Sequence, residues 1–475
     1  MKKGLSLILA LFICGATVSC GGTSSNVQTE EPVLEYDNVY PERRVDSFSF
    51  DIIGGQNVMP IGVYYGPHTP SVSKDGNDMP NFSDEYYVKL LADAGVNLFT
   101  YCPESYPQAR ESIKKVLSLA EKYKIGYYVN DYYVVSMTHG VSDFSASLLK
   151  ERTEEFTSYE SFVGFYSKDE PYYEQLEHIG KVNESLNEQF DNKYSTYVNM
   201  LPRWEERPLK YTSGDIDIEY EEYVGRYYRE GNGKYISWDH YVWDFKSYKG
   251  YFNNMAIIKR MSEEYGIPYW SFIQAGGQWN DAMIEFESLP EPYPTEGQLF
   301  WNVNTSLACG AKGIQYFLAF QPIYFAYAPN GTYDFTRNGL IGANGNINRW
   351  YYYVQKANVQ ISAIDEILMN SYNVGIIASD SIRAELGNNT MFLESNEFHQ
   401  LKGIRGNAFV GCFEYNGKTV LYVVNYAHNK ADDVILDFND KHDLTIIQRG
   451  KTYNETERHL GIHLEAGEGV LVMVD

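Results

Sequence analysis

Eight short apolar runs, each followed by an amphipathic stretch, occupy the middle of the chain. They begin near Pro60 (PIGVYYG), Val96 (VNLFTYC), Ile125 (IGYYVND), Ser161 (SFVGFYSKDEP), Lys193 (KYSTYVN), Tyr235 (YISWDHYVW), Ile267 (IPYWSFIQ) and Gly313 (GIQYFLAFQ). The stretches between them carry helical spacing. Tyr87, Leu90, Leu91 and Ala94 recur at i, i+3, i+4 and i+7, which predicts a helix capped by Ser83 and stopped by Gly95. Ile113, Val116, Leu117 and Ala120 repeat the pattern, as do Phe252, Ala256, Ile257 and Met261 before Gly266. Thr295 opens another helix, with Leu299, Val303 and Leu307 on one side, and the fifth helix falls on an acidic, Tyr-rich stretch near Ile216–Arg229. Eight strand-then-helix units across roughly residues 60–370 predict a (β/α)8 TIM barrel. The rival, an open doubly wound sheet, lacks support because no GxGxxG or P-loop spacing follows any strand.

After Ser371 the helical pattern is expected to stop. Residues 373–378, 408–415, 418–425, 433–438, 444–449 and 469–474 read as strands, and Asn416-Gly417 between two of them is a two-residue hairpin signal. A C-terminal all-β sandwich of about 100 residues is expected. At the other end, Lys2 and Lys3 precede the apolar run Leu5–Cys14, too short to span a bilayer and suited to a signal peptide. Thr17-Val18-Ser19-Cys20 resembles a bacterial lipobox, which implies cleavage before Cys20, lipidation of its thiol and a place in the bacterial cell envelope. The expected organisation is a signal peptide over 1–19, a flexible tether over 20–33, a barrel with an N-terminal extension over 34–370, and a sandwich over 371–475.

Composition narrows the function. The 475-residue chain carries a net charge of −24, which argues against nucleic acid and leaves the anchor at Cys20 as the only expected membrane contact. Cys102, Cys309 and Cys412 are scattered and never in CxxC spacing, so neither a disulfide scaffold nor a structural zinc site is expected. No metal or other cofactor is implied. Tyrosine occurs 43 times, and aromatics reach 16%. That excess fits either a Tyr-rich fold or a site stacking rings on sugars.

Barrel active sites lie at the C-terminal ends of the strands. Polar residues there include Tyr64, Tyr65, His68, Tyr101, Glu104, Asn130, Asp131, Lys168-Asp169-Glu170-Pro171, Asn199, Arg203, Trp238, Asp239, His240, Tyr241, Trp270, Gln274, Trp279 and Gln321. Carboxylates, aromatics and amides dominate. Two carboxylates flanking an acetal oxygen can hydrolyse a glycosidic bond, one protonating the leaving group while the other stabilises or attacks the anomeric carbon. Glu170, Asp169 and Asp239 are the catalytic candidates, with Glu285 and Glu287 in reserve. Tyr65, Tyr101, Asn130, Asn199, His240, Tyr241, Trp270, Gln274 and Trp279 are candidates for carbohydrate binding. Each also has a structural reading. Glu170 could bond amides at the next helix start, His240 could be a hydrogen-bonded support, the tryptophans could be core, and Asp131 could cap the following turn.

Gly164–Pro171 (GFYSKDEP) resembles the acid/base strand of glycoside hydrolase clan A. Residues 294–317 and Leu464–Leu471 are similar to the later barrel and appended sandwich of its bacterial, family 5-like members. The resemblance implies a glycosidase acting on a poly- or oligosaccharide, with Glu170 as general acid/base. Two departures matter. Asp169 stands where the clan usually has Asn, and Gln274 stands where it has its nucleophilic Glu, so Asp239 is the candidate second carboxylate. The Asp-Glu-Pro sequence also resembles glycoside hydrolase family 123, which implies a substrate-assisted N-acetylhexosaminidase needing only Asp169 and Glu170, with Tyr241 a possible donor to the intermediate. Gln274 equally leaves open a non-catalytic surface glycan-binding protein.

Overall fold

The computed structural model describes residues 58–72, 76, 78–203, 211–213, 218–245, 247–277, 294–326 and 333–475. Cys20, the tether, Trp279, Glu285 and Glu287 lie outside the described residues. Eight parallel strands close into a barrel in chain order: β1 (Ile61–Val63), β2 (Leu98–Phe99), β3 (Gly126–Asn130), β4 (Phe162–Asp169), β5 (Ser195–Met200), β6 (Ile236–Trp238), β7 (Tyr269–Gln274) and β8 (Ile314–Phe317). Closure pairs β1 with β8, Ile61 opposite Ile314 and Val63 opposite Tyr316. Helices follow the strands at the expected spacing, among them Glu85–Asp93, Arg110–Lys122, Gln175–Phe190, Tyr220–Glu230, Tyr248–Tyr265 and Glu296–Ala308. Thr295 closes a capping box with Gln298 at the start of the last of these. Ser83 does not cap its helix. Asp84 takes the cap position, and the Ser83 hydroxyl donates to Asn81 Oδ1 instead.

Tyrosine fills the barrel. Tyr64, Tyr128, Tyr197, Tyr235, Trp270 and Phe272 pack with Leu98 and Val163 in its interior. Tyr235 and Trp270 stack face to face at 3.6 Å and 5°. These rings bury large apolar areas, while several hydroxyls find partners inside: Tyr197 donates to Gln315 Oε1 at 2.7 Å, and Tyr128 lies 3.4 Å from Ser195 Oγ. Much of the chain's tyrosine excess is thus structural.

The C-terminal region forms one antiparallel sheet in the order β10-β13-β15-β12-β11-β9, with β14 on the second edge of β13. The strands are β9 (Tyr372–Ala378), β10 (Leu401–Arg405), β11 (Ala408–Tyr415), β12 (Lys418–Asn425), β13 (Asp432–Gln448), β14 (Lys451–Leu464) and β15 (Gly469–Val474). The long β13 meets β10 through its first half and β15 through its second, with a register break after Asp437. The sheet thereby folds into a sandwich around Leu401, Val410, Leu421, Leu436, Ile446, Ile462 and Val472. Three expectations are corrected here. The two strands expected over 433–449 are one, because the register break absorbs the polar Asn439–Asp443 stretch without ending it. β14, not expected as a strand, is exposed over Lys451–His459, where pairing with β13 holds it, and buries Leu460, Ile462 and Leu464 in the sandwich core at its end. A helix, Asp380–Leu386, also follows Ser371. It buries Ile382 and Leu386 and ends at Gly387, whose φ is 70°.

One glycine is decisive for the strand that carries the candidate acid. Gly164 in β4 has φ 142°, and a Cβ there would sit 1.8 Å from the Ser195 carbonyl oxygen. Gly164→Ala is expected to destabilise the fold by about 2 kcal/mol or more, read as a drop in Tm or loss of soluble protein.

Candidate active site

Asp169 ends β4, and Glu170 follows in the left-handed region at φ 52°. A non-glycine residue held there costs on the order of 1 kcal/mol, and such strain clusters at functional positions. The backbone supports it, since Glu170 N donates to Asn199 O on β5 at 2.8 Å. Asp239 follows β6 and is buried. These three carboxylates interact with one another electrostatically.

Their environments differ. A chain of donors runs through the barrel and ends on Asp169. Tyr197 donates to Gln315 Oε1 at 2.7 Å, Gln315 Nε2 to Ser237 Oγ at 2.7 Å, Ser237 Oγ to Asn199 Oδ1 at 2.9 Å, and Asn199 Nδ2 to Asp169 Oδ1 at 3.1 Å. Tyr64 donates to Asp169 Oδ2 at 3.1 Å from the other side. Burial raises the Asp169 carboxyl, while Asn199, Tyr64 and the Lys168 ammonium favour its charged form. Asp239 is pushed well above the carboxylate range, by burial first and then by the charges of Glu170 and Asp169. Its Oδ1 is buried with no hydrogen-bond partner among the described residues. Glu170 is raised to about 7, by surrounding protein first and by Asp169 second, with Lys168 opposing. The residue is nevertheless solvent-exposed at the end of the strand rather than in the core. Asp169 is thus the carboxyl whose charged form is supported by donors on both oxygens, and Glu170 is an accessible acid held near 7. Neighbouring carboxyls in such different environments are a pattern found at acid–base sites.

The remaining candidates divide into two groups. Tyr101 stacks on Tyr64 at 4.7 Å and lies 4.6 Å from Tyr166, whose hydroxyl accepts from Asp169 N. Tyr65 adjoins Tyr101 and hydrogen-bonds the exposed Tyr324. Tyr241 interacts with all three carboxylates, and Asn130 sits half-buried at the end of β3. These residues share the strand-end face with Glu170. Others are buried and engaged by the fold. Trp270 is fully buried near the start of β7, against Tyr235, because a bulky ring is needed to fill the barrel floor. Gln274 is fully buried, its Nε2 donating to Gly276 O at 3.3 Å. His240 packs on Tyr251, with Asn254 Nδ2 3.2 Å from its Nδ1, and burial pushes its pKa down to about 3. It is a neutral support. Asp131 accepts from Tyr133 N and Val134 N and pairs with Arg152, so it caps a helix. Sequence reasoning missed Tyr166, Ser237 and Gln315. The last two had a signal: each is a lone polar residue within an otherwise apolar barrel strand.

No family model matches the chain, and no curated protein does. Among solved structures it is similar to the noncanonic maltogenic alpha-amylase AmyB of Thermotoga neapolitana, at 11% identity, covering 88% of this chain and 98% of that one, with a TM-score of 0.47. It is also similar to the alpha-amylase of Geobacillus thermoleovorans, at 9% identity, 88% and 98% coverage and a TM-score of 0.45. The alpha-fucosidase of Thermotoga maritima is a third, at 8% identity, 82% and 78% coverage and a TM-score of 0.40.

The raised Glu170 carboxyl has a thermodynamic consequence. Its ordinary value is 4.5 and its value in the fold about 7, so the fold prefers it protonated. That preference is fully present below about 4.5 and is lost as pH rises through 7. Glu170→Gln is therefore expected to raise Tm at pH 8 by about 1–2 °C relative to the wild type, with no gain at pH 4. Asp169→Asn is expected to bring the Glu170 carboxyl back toward its ordinary range, because a neighbouring negative charge is removed. Carboxyl carbon NMR titration reads this directly.

Proposed function

We propose that the protein is a glycoside hydrolase acting on a poly- or oligosaccharide, with Glu170 as the general acid that protonates the glycosidic oxygen. The observation that carries this reading is the exposed Glu170, its carboxyl raised to about 7, beside an Asp169 supplied with hydrogen-bond donors on both oxygens. A glycosidic bond breaks when its oxygen gains a proton while positive charge builds on the sugar ring. Glu170 supplies the proton, and Asp169 supplies the nearest negative charge. Burial and its carboxylate neighbours favour the neutral form of Asp239, which can donate a hydrogen bond to a sugar oxygen. It becomes a base or nucleophile only after losing its proton. Tyr65, Tyr101 and Tyr241 offer aromatic faces to the sugar. The chemistry calls for no cofactor.

The same observation favours a second reading, the substrate-assisted one. Asp169 has hydrogen-bond donors on both oxygens, which suits an Asp that orients an acetamido group acting as internal nucleophile. Under either reading, the lipobox-like Thr17–Cys20 supports anchoring to the bacterial envelope through Cys20, with the barrel over 34–370 and the sandwich over 371–475.

On a panel of aryl and natural glycosides, Glu170→Gln is expected to lower kcat/KM by about 10²- to 10⁴-fold. Unchanged turnover would remove Glu170 from the chemistry. Hydrolysis confined to N-acetylhexosaminides, with thiazoline inhibition, selects the substrate-assisted reading; hydrolysis of sugars lacking the acetamido group excludes it. Glycan affinity without any turnover identifies a binding protein instead.

A further inference from the structure

A cavity of about 380 Å³ opens at the N-terminal end of the barrel strands, the end opposite Glu170. Its walls are the last turns of helix Tyr248–Tyr265 with the loop into β7, the Cys309–Lys312 turn into β8, and Met369–Asn373, where the chain enters β9. Two lysines line it. Lys259, only 7% exposed, pairs with Glu263 and donates from Nζ to Asn373 O at 3.2 Å. Lys312 donates from Nζ to Leu368 O and, at 2.6 Å, to Ser371 O. An ammonium has three N–H donors, so each lysine keeps one beyond those bonds.

Glu263 is the one carboxylate among the lining residues, and it serves Lys259. Lys312 is compensated by carbonyl oxygens alone, and burial with the nearby Lys259 charge pulls its ammonium down to about 8. Lys312 is half-buried, and a partly desolvated ammonium with only neutral oxygens as partners is less well compensated than one in an ion pair. The lining thus carries two lysines against one carboxylate in a chain of net charge −24. The wall also offers one acceptor: Asn373 is 6% exposed, and its Oδ1 has no partner among the described residues.

We infer that this cavity binds a small hydroxylated oxyanion, its carboxylate or phosphate between Lys259 and Lys312 and a hydroxyl donating to Asn373 Oδ1. The two sources of oxyanion share this chemistry, and the volume holds either with a few carbon atoms. The lysines already tie the barrel to the segment leading into β9, so an occupant neutralises the charge those ties bury.

Titration calorimetry on the full chain, at pH 7 and low ionic strength, tests this with D-glycerate, glycerol 3-phosphate and glycerol. One equivalent of either anion is expected to bind, with glycerol silent. Lys312→Met is expected to weaken binding by about tenfold or more while leaving any glycosidase activity unchanged. Should that variant fail to fold, wild-type crystals soaked in selenate are expected to show an anomalous peak between Lys259 and Lys312. Equal binding of glycerol and glycerate, full affinity in Lys312→Met, or soaked crystals without that peak would overturn the inference.

Discussion

Three carboxyl groups converge at the ends of β4 and β6, and the barrel does not let all of them carry charge together. Like charges repel more strongly away from water, and desolvation penalises each ionised form. The site is therefore defined by which group is allowed to ionise. Asp169 is favoured because donors reach both of its oxygens. Asp239 is disfavoured because it is buried with one oxygen bare. Glu170, at the open edge, falls between them. This ordering, more than the presence of acidic residues, makes the cleft a place where a proton can be kept and given up near neutral pH.

The ordering depends on the barrel interior. Asn199 can turn its amide either way until something fixes it. Ser237 fixes it by donating to Oδ1, and Ser237 is itself committed because it accepts from Gln315. Tyr197 then determines which end of Gln315 faces Ser237. A run of individually neutral bonds thus orients the Asn199 amide so that its Nδ2 donates to Asp169. A core of aliphatic side chains would pack as densely, but it would leave the Asn199 amide without an assigned direction.

The barrel was legible in the chain because buried parallel strands are near-continuous apolar runs and the covering helices keep a clean spacing, as at Ile113–Ala120. Glu170, Asp169 and Asp239 were legible because they stand where apolar runs end. What failed was direction. Trp270 lies within an apolar run like the true strand-end residues, and nothing in local pattern tells floor from mouth. Gln274 does sit at the mouth end of β7, yet its side chain turns back on Gly276. β14 escaped notice because its first nine residues are polar and exposed, held by pairing with β13, and only Leu460, Ile462 and Leu464 at its end alternate into the core. The Ser237–Gln315 link joins positions far apart in the chain and exists only after closure.

The helix Glu296–Ala308, which leads into β8, is also the surface on which the C-terminal sheet rests. Tyr422 OH donates to Asn304 Oδ1 at 2.7 Å, Asn304 Nδ2 donates to Gly467 O at 2.9 Å, and a side chain at Gly411 would collide with Ala308. Trp301 lies among Phe252 and Tyr426 across the same seam. An evolutionary lineage carrying this barrel cannot readily shed or exchange its β appendage, because doing so would uncover an aromatic seam and orphan amides on a helix the barrel needs for closure. The two halves are bound to drift together, and changes in one are to be sought as compensating changes in the other.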